Sequence, residues 1–451
     1  MQKSLSRYWL LLGVLALAIA GLFSLVLVLA RAPETAQIAL FDDMFHKALV
    51  VHVDLSVLVW FLSIACLMWS MAAQGSRQVF PFLEEAALIC FVLGTLLIAA
   101  SPFDPNGVAL MSNYIPVITS PAFFLGLALL FCGVGAMLVR VVSCKLQVAS
   151  KKNEFSLLTT YNLPLATTLP IAFMAIVAFL WSYHQMPHMS EAEEYCDMLF
   201  WGGGHVLQLL HVQMVMIAWL MLARALRREF HVYTAHLYIL FAIGLVTSLC
   251  TPWAYLHHRA YDLSQHEFFT HMMILAGGIA PTILVLWIMP GLITFRHWRL
   301  GNKRALYSTL AMSFILFVYG NILGALIEGQ NVVIPAHYHG AIVGVTLGFM
   351  GLAYLLLPKF GWRDVTGWKF AYWQPIIYGG GQLLHISGLA WSGGYGVLRK
   401  TPGGLDDVAT GVKIAMAIMG VGGLLAIIGG FMFVVVIAVA IFSRADARAA
   451  R

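Results

Sequence analysis

Charge is what this chain has least of. Of its 451 residues, 10% are Asp, Glu, Lys or Arg, against the roughly 25% usual in soluble domains. That scarcity excludes a soluble globular enzyme, a disordered chain and a nucleic-acid binder, each of which needs a charged surface. Cysteine is scarce too: six, at 66, 90, 132, 144, 196 and 250. No two form a Cys-x-x-Cys pair, so neither a thiolate metal cluster nor c-type haem attachment is indicated, and their scatter predicts no disulfide framework. There is no linker and no low-complexity segment. No internal repeat is visible, which counts against a transporter.

What fills the chain instead is apolar. Hydrophobic residues make up 61%, and mean hydropathy is +0.85. Apolar stretches near 20 residues recur along the whole length, the signature of a helical membrane protein. The pattern predicts an all-α polytopic fold, a single membrane domain over 1–451. Its twelve transmembrane helices are expected at 9–30, 47–73, 82–101, 116–139, 163–183, 198–223, 235–258, 269–290, 306–327, 333–357, 375–397 and 413–442. The first run is too long for a signal peptide and lacks a cleavage site, so it reads as a retained helix.

Basic residues in the loops set the orientation. With the N-terminus inside, only Arg31, Lys47, Arg259, Arg399, Lys400 and Lys413 of the 26 basic residues fall outside. Both termini are therefore expected to be cytoplasmic, in a bacterial inner membrane. The outer loop bearing Glu191, Glu193, Glu194 and Asp197 is acidic; it suits a cationic partner, although such loops are also ordinary.

Sixteen histidines are many for so apolar a chain. His52 and His205 open descending helices, His257 and His258 close an ascending one, and His337 and His339 open another descending one. Six imidazoles from four helices are thus predicted at one depth in the outer half of the membrane. Ionisable groups within spans are costly and need partners, and neutral imidazole is the commonest metal ligand. A lone membrane histidine is usually a packing residue; six at one level are not explained that way. His337 and His339 are two apart, hence about 200° apart around a helix axis, so one helix can serve a haem on each side. His52 would complete a bis-histidine haem with His339. His257 and His258, with His205, supply three imidazoles and leave an open position, as a catalytic metal requires. His211 reads as structural, His271 as a candidate outer-shell group, and His385 as either a polar packing residue or part of a proton path.

These pieces, with His-Val-Asp-Leu-Ser at 52–56, Gly-Gly-Gly-His-Val-Leu-Gln at 202–208, the pair at 257–258 and Ala-His-Tyr-His-Gly at 336–340, resemble the catalytic subunit I of the haem–copper oxidase superfamily. The resemblance covers nearly the whole chain. It implies that His52 and His339 are axial ligands of a low-spin haem and His337 the proximal ligand of a high-spin haem, both haems b-type or a-type. It implies copper on His205, His257 and His258, and a basic pair for the haem propionates at Arg399 and Lys400. Trp253 packs near that site or is ordinary core.

The departures bear on the reaction. Oxygen reductases of this superfamily carry a tyrosine four residues after the sixth-helix histidine, or six before the histidine pair on the seventh. Here those positions are Leu209 and Thr251; Tyr255 lies one turn beyond the second. The familiar NO reductases place a glutamate at the Leu209 position. Three imidazoles without a carboxylate favour copper over iron. The chain thus resembles the copper-containing NO reductases built on an oxidase scaffold. Reduction of NO to N2O is the expected reaction, with reduction of O2 as a cytochrome c oxidase the alternative.

No Cys-x3-Cys copper-A motif exists, so electrons are expected from cytochrome c or a copper-A-type donor subunit on the outer face. The other implied partners are the gas and membrane lipid, with no nucleic acid. Glu84 and Glu85 are either a proton entry or a solvated helix start. Thr270, Thr282, Ser308, Thr309, Tyr319 and Asn321 are either a polar path or packing glue. Glu328 delivers outer protons or stabilises a loop. The competing classes are a haem carrier without gas chemistry, which needs no third metal, and an ordinary transporter, which shows no haem absorbance.

Overall fold

The structure is a computed structural model that describes residues 5–29, 39–73, 80, 82–144, 162–187, 189–226, 234–294, 301–328, 331–395 and 409–443. Arg399 and Lys400 lie outside these residues. Fifteen α-helices are described: α1 Ser6–Leu29, α2 Ala39–Val53, α3 Trp60–Ala72, α4 Phe82–Ala100, α5 Pro121–Ser143, α6 Asn162–Gln185, α7 Ala192–Leu226, α8 Thr234–Leu249, α9 Thr251–His257, α10 Leu263–Met272, α11 Ala280–Thr294, α12 Arg304–Ala325, α13 Val333–Leu356, α14 Lys369–Gly393 and α15 Thr410–Phe442.

Several of these join into single spans. A π-helical segment, Asp54–Val59, links α2 to α3, and another, Met273–Ile279, links α10 to α11. Such wide turns inside α-helices concentrate at functional sites, and the first begins two residues after His52. Helix α9 starts afresh after Cys250 because Pro252 has no N–H to continue the ladder.

Among the described residues, 11 helices are long and apolar enough to cross a membrane. The chain is an integral membrane protein. The expected count of twelve is corrected at 375–397. That segment is helical, as α14, but it is not apolar enough to count by composition. Its glycines at 379–381, with Gln374, Gln382, His385 and Ser392, dilute the hydrophobic run. These polar groups are held by protein: Gln374 accepts from the Tyr354 hydroxyl at 2.9 Å and donates to the Gly429 carbonyl at 3.0 Å.

The helices group into two compact units. The first comprises Met1–Phe23, Asp43–Ile217 and Val232–Leu284; the second comprises Ser24–Asp42, Ala218–His231 and Val285–Arg451.

In the first unit, α1 runs antiparallel to α2–α3. Ser6 meets Ser70 at 2.7 Å, a Cβ on Gly13 would lie 3.2 Å from that of Ser63, and the Ala20 carbonyl meets His52 at 2.9 Å. The contacts on α1 recur every seven residues, two helical turns, so one face of α1 is committed to this partner. Helices α4 and α5 cross closely where Gly94 faces the Gly126 carbonyl. Between α4 and α5 lies the only strand pair among the described residues. In it β1 Ala109–Leu110 is antiparallel to β2 Val117–Ile118, with Ala109 opposite Ile118.

In the second unit, α14 packs along α15, and α12 along α13. Gly320 and Gly340 let α12 and α13 approach backbone to backbone; a Cβ on Gly340 would lie 2.6 Å from the Gly320 Cα. That contact gives the glycine of Ala-His-Tyr-His-Gly a packing role beside the two histidines.

Candidate metal centre

Six of the sixteen histidines follow one rule. His52 Nδ1 bonds the Ala20 carbonyl at 2.9 Å, His337 Nδ1 the Gly320 carbonyl at 2.7 Å, and His385 Nδ1 the Met419 carbonyl at 3.0 Å. Three others reach back one turn of their own helix: His205 to Trp201, His257 to Trp253 and His339 to Pro335, each at 2.8 Å. A carbonyl only accepts, so Nδ1 carries the proton in all six. The lone pair is then on Nε2, the state in which imidazole binds a metal, with the orientation held by the second nitrogen.

In the second unit the glycines make room for this. A Cβ on Gly324 would lie 2.6 Å from His337 Nδ1, so only glycine leaves His337 able to reach the Gly320 carbonyl. His339 stands beside His385, ring centroids 5.4 Å apart, which makes His385 a neighbour of a predicted ligand. Asn331 prepares the start of α13: its side chain accepts from the Val333 N–H and donates to the Glu328 carbonyl, both at 2.9 Å. The Glu328 side chain itself is exposed.

In the first unit the three glycines before His205 clear three faces of one turn of α7. A Cβ on Gly203 would fall onto the Phe179 ring. On Gly202 it would fall onto the Tyr255 hydroxyl and 2.8 Å from Phe269. On Gly204 it would fall onto Tyr114.

Tyr114 sits in the loop between β1 and β2. Its hydroxyl lies 2.8 Å from His205 Nε2. Because His205 Nδ1 holds the proton, the phenol is the donor. The ring lies 4.6 Å from the His205 ring and stands edge-on to Trp201 at 5.6 Å. Next to it, the Asn113 N–H donates to the Asp197 carboxylate at 2.5 Å. Asp197, expected in an acidic outer loop, instead lies on α7 and anchors this turn. Burial, and then the Asp197 carboxylate, push the Tyr114 phenol up from its ordinary range, so it remains a protonated donor.

The other two expected copper ligands are arranged differently. His257 stacks on Trp253 at 4.6 Å and is exposed. His258 lies past the end of α9 in extended backbone, and its Nδ1 pairs with the Ser264 hydroxyl at 2.9 Å. Among the described residues, no group of three or more His, Cys, Asp or Glu stands close enough to hold a metal ion. The donor chemistry of His52, His337 and His339, the expected haem ligands, fits ligation of haem iron through Nε2. The three-histidine copper set does not fit in this arrangement, since the three imidazoles are not gathered around one point.

Of the remaining candidates, Leu209 is buried, and Thr251 is buried with its hydroxyl unpartnered among the described residues. Tyr255 bonds the Ser182 hydroxyl at 2.7 Å and stacks on Trp181 at 5.4 Å. His211 is buried against Phe61, and His271 is exposed. Glu84 is buried and accepts from Ser70, so it is more than a solvated helix start. Thr270, Thr282, Ser308 and Thr309 each bond a carbonyl of their own helix segment, as packing residues do.

Sequence reasoning did not find Tyr114, Trp201 or His266, whose ring stacks on Trp201 at 4.4 Å. A signal was present for one of them: Trp-x-x-x-His occurs at 201–205 and again at 253–257, and in both copies the indole lies against its histidine.

Fold and histidine chemistry together define a polytopic helical membrane protein of the haem–copper oxidase superfamily, whose members are oxidoreductases that bind haem and copper. Residues 4–443 match the family described as Cytochrome C and Quinol oxidase polypeptide I, and the chain belongs to it. An uncharacterized protein of Rickettsia prowazekii (strain Madrid E) is 31% identical, over 96% of this chain and 95% of that protein. Another, from Aquifex aeolicus (strain VF5), is 30% identical over 82% and 88%. A solved heme-copper terminal oxidase dimer shares the fold, with a TM-score of 0.76 at 18% identity, over 98% of this chain and 85% of that one.

Proposed function

We propose that this chain is the catalytic subunit of a respiratory reductase of the inner membrane that converts NO to N2O. It would take electrons from cytochrome c through a partner subunit on the outer face. The observation that carries this reading is the pair of residues at the two tyrosine positions, Leu209 and Thr251. Splitting O2 in one step needs four electrons, one of which a tyrosine supplies. Coupling two NO molecules needs two electrons and two protons and makes no such demand. Tyr255 does not fill the gap, because its hydroxyl is turned to Ser182.

His52 and His339 are proposed as low-spin haem ligands, His337 as the high-spin haem ligand, and Arg399 and Lys400 as the propionate partners; copper on His205, His257 and His258 would require these three imidazoles to draw together from the arrangement described above. When bound, the haems supply electron storage and an iron site for the gas. The residues' own contribution is positional. The Ala20 and Gly320 carbonyls hold His52 and His337 in the tautomer that presents Nε2, and the glycine crossing of α12 and α13 keeps the second of these bonds short. The gas needs no polar path. In the first unit a small apolar pocket, lined by Leu62, Phe131, Phe179, Leu207 and Leu210 among others, offers it an apolar surface.

A second reading, reduction of O2 to water, is favoured by one observation: the Tyr114 phenol stands at His205. Product analysis separates the two. The purified chain, reduced and supplied with each gas in turn, is expected to form N2O from NO. Rapid four-electron consumption of O2 with no N2O from NO would overturn the preference. A reduced-minus-oxidised spectrum without haem bands would remove the whole reading in favour of a transporter.

A further inference from the structure

We propose that His385 is a positioning residue of the haem ligand His339: its imidazole, tethered to α15, is the surface against which the His339 ring sets its plane. The proposal rests on the reading of His339 as a ligand of the low-spin haem.

An axial imidazole must be fixed in two respects, its reach and the angle of its ring plane, and the groups behind a ligand do both. The 2.8 Å bond from His339 Nδ1 to the Pro335 carbonyl fixes the reach by tying one corner of the ring to its own helix. One bond does not fix the plane. Two rings limit how far it turns. Tyr338, the preceding residue, stacks on His339 at 5.1 Å and 28°, but its side chain is itself exposed. His385 meets the ring from another helix, at 5.4 Å and 51°.

His385 is held for this contact. Its Nδ1 donates to the Met419 carbonyl of α15 at 3.0 Å, using the second lone pair that a helix carbonyl keeps. Two glycines of α15 bring that helix close. A Cβ on Gly422 would lie 2.9 Å from His385 Cα, and one on Gly423 would lie 3.4 Å from Nδ1. A residue that only filled space would be apolar, because a polar side chain within a span is costly. The next two residues of α14 touch the same region. Ile386 Cδ1 lies 3.3 Å from where a Cβ on Gly340 would stand, and the Ser387 hydroxyl meets that of Tyr319 at 3.2 Å. Tyr319 precedes Gly320, whose carbonyl holds His337. Three consecutive residues of α14 thus brace the His-x-His-Gly turn of α13 and the turn of α12 beside it.

The test is the electron paramagnetic resonance spectrum of the oxidised, haem-loaded full chain. The largest g value of a bis-histidine low-spin haem follows the angle between its two ring planes. His385→Leu removes ring and tether, His385→Gln keeps a donor for Met419 without the ring, and His385→Phe keeps a ring without the donor. All three should retain the low-spin haem. The g value should shift in His385→Leu and His385→Gln, and His385→Phe should return it toward wild type. A histidine that merely packed would lower the thermal midpoint in the variants and leave the g value in place. An unmoved g value in His385→Leu, or a full return in His385→Gln, overturns the proposal. Loss of the low-spin haem in all three does so too, because a ring that only sets the plane is not needed to bind iron. His339→Ala is the control on the ligand reading. A low-spin signal that survives it removes that reading and the proposal with it; a signal lost there but unmoved in His385→Leu removes the proposal alone.

Discussion

Gly204→Ala is a substitution whose sign depends on a residue ninety positions away. In an isolated helix, replacing glycine by alanine is favourable by about 0.8–1.0 kcal/mol. Here the new methyl would fall onto Tyr114 Cβ and Cγ and lie 2.8 Å from Cδ1. Overpacking of that kind costs roughly 1–3 kcal/mol. Pushing the ring away also breaks the 2.8 Å bond to His205, a further ~0.5–1.5 kcal/mol. The helix gain offsets part of this, leaving a net destabilisation of roughly 1–3 kcal/mol. In a Tyr114→Gly background the obstacle, Cβ included, is gone, and the same Gly204→Ala should stabilise by up to about 1 kcal/mol. The assay is a double-mutant cycle on the purified chain in detergent, read by denaturant titration and apparent thermal midpoint. Gly204→Ala having the same sign and size in both backgrounds would refute the placement of Tyr114.

The haem ligands give a spectral prediction. His337→Ala should remove the high-spin haem signal and keep the low-spin one, and His52→Ala should do the reverse, both read from reduced-minus-oxidised spectra; retention of both signals in both variants would end the ligand assignment. The carboxyl at the start of α4 gives a stability prediction. Ser70 donates to the buried Glu84 and is itself joined to Ser6, so Ser70→Ala should cost roughly 1–3 kcal/mol by stranding an acceptor. Adding Glu84→Gln to Ser70→Ala should recover part of that loss in thermal unfolding. A Ser70→Ala chain as stable as wild type would show that Glu84 finds water in place of the hydroxyl.

The apolar periodicity by itself determined that this is a helical membrane protein, because lipid imposes about 20 apolar residues on each crossing wherever the segment packs. The segment at 375–397, expected as a further span, is helical as α14 but too polar to count by composition, because polar side chains such as Gln374 find partners inside the protein. The histidine motifs marked the family and named the ligand candidates, since short-range spacing along a helix is a local property. What only the tertiary structure decided is which nitrogen of each histidine carries the proton, and what touches the other. The Ala20 and Gly320 carbonyls lie 32 and 17 residues from the imidazoles they hold. Tyr114 lies 91 residues from His205, on a loop with no apolar period to betray it. The three glycines before His205 showed in the sequence that something must come close to that turn. Only packing, in which a missing Cβ is filled by a ring from elsewhere in the chain, could say that it is a phenol.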